Sequence, residues 1–74
     1  MLNETLNVKD FGALADGQTL DTKAIQSAIN ECESQGGGTV VLPPGDYLSG
    51  TLRLCDDLEF RISMGAKLIA TKDD

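Results

Sequence analysis

The sequence has no histidine and no tryptophan, and only one tyrosine and two phenylalanines among 74 residues. Without an imidazole, no side chain titrates near neutral pH by its ordinary chemistry, and no zinc site can draw on a histidine. Cysteine is also sparse. Cys32 and Cys55 lack the CxxC spacing of a metal or redox motif, so they read as two reduced thiols, with Cys32 a small core residue. Basic residues are few: six Lys and Arg against twelve Asp and Glu give a net charge of -6 and a pI near 4.3. The six are scattered, and without a cluster to release phosphate counterions the chain is no nucleic-acid or anionic-membrane binder. Long apolar runs are missing too. Nothing approaches the roughly 20 residues of a membrane span, and Met1-Leu2-Asn3-Glu4 lacks the basic start and apolar core of a signal peptide. As written, the chain is expected to be cytoplasmic.

A hydrophobic fraction of 41% and a charged fraction of 24% are those of an ordinary globular protein, with disorder expected only at Asp73-Asp74. The length allows one domain, residues 1–74. A chain this short buries only about 60% of the surface exposed when unfolded, so its stability margin is thin.

Leu6-Asn7-Val8-Lys9 alternates as a short strand does, and Phe11-Gly12-Ala13 and Asp16-Gly17 read as turns. Asp21 or Thr22 is placed to cap a helix over residues 22 to 35. In that helix Ala24, Ile25, Ala28, Ile29 and Cys32 form one apolar stripe, opposite Lys23, Gln26, Asn30, Glu31 and Glu33. Gly36 suits a left-handed helix end, and Gly37-Gly38 lets the chain reverse into Thr39-Val40-Val41-Leu42. That apolar run predicts a strand covered on both faces, ended by Pro43, which has no N–H to donate. Three more strands are expected around Leu52 and Leu54, Leu58 to Ile62, and Ala66 to Leu68, parted by Asp56-Asp57 and Met64-Gly65. Spacing alone fits a coil, a barrel or a meander.

Several motifs resemble the opening of right-handed parallel β-helix carbohydrate enzymes. They are Asn7-Val8-Lys9-Asp10-Phe11-Gly12-Ala13, Asp16-Gly17, the run from Asp21 to Ile29, and Gly37-Gly38-Thr39-Val40-Val41-Leu42-Pro43-Pro44-Gly45-Asp46-Tyr47. The continuation through Ser49-Gly50-Thr51-Leu52, Leu58-Glu59-Phe60-Arg61-Ile62 and Gly65-Ala66-Lys67-Leu68 is similar to the polygalacturonases of glycoside hydrolase family 28. The resemblance implies a mainly β fold with one N-terminal helix, a capping helix plus the first coils of the β-helix, and so an incomplete solenoid. It also implies an inverting hydrolysis in which one carboxylic acid protonates the leaving oxygen and carboxylates opposite activate water. The family's Asn-Thr-Asp strand, Asp-Asp pair, Gly-His-Gly turn and Arg-Ile-Lys strand are not found here in their context. No catalytic, cofactor-binding or metal-binding residue is therefore assigned, and no cofactor.

Bland readings absorb the remaining motifs. Asp56-Asp57 is a solvated turn, because neighbouring residues on a strand point to opposite faces. Gly36-Gly37-Gly38 follows a helix, whereas a phosphate loop follows a strand and ends in Gly-Lys-Ser/Thr. Asp10, Asp16 and Asp21 lack the calcium-loop order with its terminal Glu, and read as caps and turns. An acidic chain offers no attraction to an acidic, pectin-type polysaccharide, so the substrate is expected to meet only the missing downstream coils. Solenoids bury their cores by stacking, yet the pattern shows a cap and little more than one coil. The chain is thus expected to be inactive alone, and to be either part of a longer hydrolase or a module that pairs with copies of itself at the open coil edge. A lyase, an epimerase or a tailspike could share the same opening.

Overall fold

A computed structural model describes residues 5–55 and 57–71. Expectations for Met1-Leu2-Asn3-Glu4, Asp56 and Asp73-Asp74 lie outside the described residues. The chain runs β1 (Thr5–Asn7), a 3-10 turn (Val8–Phe11), β2 (Asp16–Leu20), α1 (Thr22–Ser34), β3 (Gly38–Leu42), β4 (Gly45–Ser49), β5 (Leu58–Ile62) and β6 (Ala66–Ala70). Strands alternate between two three-stranded parallel sheets, β1-β3-β5 and β2-β4-β6, so each successive pair forms one rung of a coil.

Register aligns side chains into columns along the coil axis. Leu6, Val40 and Phe60 share one inward column, while Leu42 pairs with Ile62 and Tyr47 with Leu68. Outward columns carry Thr5, Thr39 and Glu59, and Asp16, Asp46 and Lys67. The buried core joins the helix stripe Ala24, Ile25, Ala28, Ile29 and Cys32 to Val8, Ala13, Val40, Leu42 and Tyr47. The helix stripe packs as its periodicity indicates, whereas β3 buries only its Val40 and Leu42 face. Val41, expected to be covered as well, stays partly exposed because among the described residues the outer face of the sheet has no layer over it.

Gly36 and Gly37 end α1 in a Schellman motif. The Gly37 N–H donates to Cys32 O at 2.9 Å and the Gly36 N–H to Glu33 O at 3.0 Å, satisfying carbonyls the helix cannot. Gly37 has φ +114° and passes so near the next coil that a Cβ there would stand 2.7 Å from Asp57 O.

The structure departs from the expected elements at five points. The first strand stops at Asn7, where the side chain accepts the Lys9 N–H at 2.8 Å and starts the 3-10 turn. Asp16-Gly17 opens a strand as well as a turn: Asp16 Oδ1 takes the N–H groups of Gln18 and Thr19 while irregular pairing with β4 continues. Residues after Pro43-Pro44 resume at once as β4, because the prolines occupy only the corner. Around Leu52 and Leu54 there is no strand. Gln26 Nε2 donates to Arg53 O at 3.0 Å and the Arg53 N–H to Gln26 Oε1 at 2.8 Å, so this backbone is bound by a helix side chain instead of a ladder. With β2 and β4 restored, the described residues form three rungs, one strand of each in either sheet, not little more than one coil.

Candidate functional site

Among the described residues Asp21 is the most enclosed charged one, 2% exposed. It stands at the N-cap position of α1 without capping it. Its two carboxylate oxygens instead accept the N–H groups of Leu14 and Ala15, at 3.0 and 2.9 Å. Ala15 needs this hold, since it sits at φ +55°, where non-glycine residues are strained. The helix start is tied down by backbone: Asp21 N–H donates to Leu48 O at 2.7 Å, and Thr22 Oγ1 accepts the Gly50 N–H at 2.8 Å. Asp21 also faces Tyr47, whose hydroxyl donates to Pro43 O. Burial first, and then the Asp21 charge, push the Tyr47 phenol above its ordinary 10.0. This polar knot joins the first two rungs to the helix, and all its groups are satisfied.

The other singled-out acids do not join it. Asp16 is exposed, held in its own turn by the Thr19 and Gln18 N–H groups and the Thr19 hydroxyl, which lower its pKa from 3.8. Asp10 lies in the 3-10 turn, and Asp57 takes φ +60° before β5. Among the described residues no three metal-ligating side chains gather and no ligand-sized cavity opens. Nor is any described helix long and apolar enough to cross a membrane.

The far rung differs in kind. The inward residues Leu58, Phe60 and Leu68 are only partly buried, Ile62 is 46% exposed and the neighbouring Met64 is 96% exposed. Among the described residues β5 and β6 pair on one side only. On the outer face, Glu59 accepts from Arg61 at 3.0 Å and from Thr39 Oγ1 at 3.3 Å, an exposed pair of little energetic weight. Sequence reading missed the Asp21 tie and the Asp16-Asp46-Lys67 column. The column was invisible without β2 and β4, and no local pattern around Gly12-Ala13-Leu14-Ala15 signals the tie to Asp21.

Residues 5–56 match the rhamnogalacturonase A/epimerase, pectate lyase-like family. The chain belongs to that family. It is 39% identical over 67 residues to a probable polygalacturonase of Vitis vinifera, covering 86% of this chain and 14% of that protein. Identity to the mannuronan C5-epimerase AlgE6 of Azotobacter vinelandii is 63% over 41 residues, 55% of this chain and 5% of the epimerase. The family 28 exopolygalacturonase of Yersinia enterocolitica superposes with a TM-score of 0.87 at 44% identity, over 95% of this chain and 12% of that structure. The fold is that of right-handed parallel β-helix proteins, mainly β with one helix, and its sheets do not close among the described residues. This pectate lyase-like chain spans a small fraction of the length of the proteins it matches.

Proposed function

We propose that the chain supplies the capping helix and first coils of a polygalacturonase-like hydrolase acting on pectin-type polysaccharide, and that it is inactive by itself. One observation carries the reading: the inward columns that α1 and the middle rung bury continue into a third rung whose apolar groups remain half-covered. A further coil of the same polypeptide is the occupant that completes those columns in register, as stacking requires. The polygalacturonase match favours a hydrolase over an epimerase because it extends across 86% of the chain, against 55%. The substrate class follows that likeness. In the isolated chain, the β5 and β6 edges are where a second copy would pair.

Two measurements test the reading. Grafting residues 5–71 in place of the matching segment of the Yersinia exopolygalacturonase should give a folded enzyme that releases reducing ends from polygalacturonate. The 74-residue chain alone should release none above a buffer blank. An unfolded graft sinks the capping role, and turnover by the chain alone sinks the claim of inactivity.

A further inference from the structure

Two thiols meet beneath the turn that ends the helix. Cys32 lies on the buried stripe of α1, while Cys55 is half-buried in the connection before β5 and packs against the same core. Backbone bonds fix their approach: Cys32 O accepts from Gly37, and the next residue, Gly38, donates to Asp57 O at 3.0 Å, just beyond Cys55. On the other side of Cys55, the reciprocal Gln26–Arg53 bonds clamp the connection to the helix. Between the two clamps, Cys55 packs against the buried cluster to which Cys32 belongs. No part of the capping role uses this pair.

We propose that Cys32 and Cys55 are a redox-responsive pair, closed to an intramolecular disulfide by a small-molecule disulfide such as oxidised glutathione, which locks α1 to the connection leading into β5. Cys55 is the accessible partner. Its thiolate attacks one sulfur of the oxidant, the oxidant's S–S bond breaks, and one reduced thiol leaves with a proton. Cys32, on losing its proton, then attacks the Cys55 sulfur and expels the second thiol. Two protein thiols are oxidised and one small disulfide is reduced to two thiols. Burial first, and then the Cys55 thiol beside it, raise the Cys32 pKa above 9.0. Ring closure therefore accelerates with rising pH as the Cys32 thiolate becomes available.

Dilute purified chain treated with oxidised glutathione, then alkylated and weighed, tests this. The expected product is a monomer lighter by two hydrogens, with no free thiol and a melting midpoint about 10 °C higher, reversed by dithiothreitol. Cys32→Ala should stop with glutathione on Cys55, and Cys55→Ala should stay unmodified while folded. Glutathione retained on wild-type Cys55, disulfides only between copies, or two untouched thiols would each overturn the proposal. The wild-type mass decides even where Cys32→Ala fails to fold.

Discussion

The middle rung and the outer rung carry equivalent residues in equivalent columns, yet they differ in burial. Val40, Leu42 and Tyr47 are sealed, whereas their register partners Phe60, Ile62 and Leu68 keep contact with solvent. Side-chain chemistry does not explain this, since Leu42 and Ile62 are isomers. Position in the stack does: the middle rung has a neighbour on each side and the helix against it, while the outer rung has one neighbour. In a solenoid, burial is granted by the adjoining coil.

The largest expected effect breaks that comparison directly. Leu42→Ala removes a sealed side chain and should cost about 2–5 kcal/mol, near the whole stability of so small a domain. Ile62→Ala, at an exposed site, should cost well under that, about 1 kcal/mol. Urea denaturation of both variants checks the ratio, and equal losses would show that the outer rung is covered in solution. Next in size is Asp21→Ala. It strands the Leu14 and Ala15 N–H groups beside a buried knot, for a loss of about 2–3 kcal/mol, while Asp16→Ala in the exposed turn should lose much less.

How much of this was legible in sequence follows the same division. The helix stripe and the β3 strand were readable because each carries an apolar pattern of its own, though only Val40 and Leu42 of the strand are buried. β2 was not readable, since Asp16-Gly17-Gln18-Thr19-Leu20 has no inward alternation and pairs through backbone alone. β4 hid behind Pro43-Pro44, which end β3 but turn the corner straight into another strand. The apparent strand at Leu52 and Leu54 alternates correctly, but Gln26 had already claimed the Arg53 backbone from a distance no local pattern encodes. The Asp21 knot failed for a related reason. An acid before a helix predicts a cap, and only the fold of residues 14–15 beside it redirects the carboxylate.

A smaller effect sharpens the contrast by asking what covers the outer rung in the isolated chain. If copies pair there, Ile62→Lys with Met64→Lys should lower the average mass seen by light scattering toward the monomer, while charge placed at exposed Leu14, near the first rung, should not. Equal behaviour of the two variants would remove the outer rung as the site of pairing.

The smallest effect compares how the two ends of the stack hold an exposed carboxylate. Asp16, in the first rung, is held by backbone N–H groups of Thr19 and Gln18, and Glu59, in the outer rung, by the Arg61 side chain with its charge. Both have pKa values lowered, from 3.8 and 4.5. Each therefore adds stability at pH above its unfolded value, and that contribution disappears as pH falls through the lower folded value, so the loss is confined to acid below about pH 4.5. The causes separate under salt. Ions screen the exposed Arg61–Glu59 attraction but leave short hydrogen bonds to backbone in place. In carboxyl carbon NMR titrations, both midpoints should lie below 3.8 and 4.5 in dilute buffer, and added salt should move Glu59 toward 4.5 while Asp16 stays low. If instead Asp16 moved with salt as Glu59 does, its turn would be open in solution, and β2 would lose the local bonds that let a strand without an apolar pattern hold its place in the first rung.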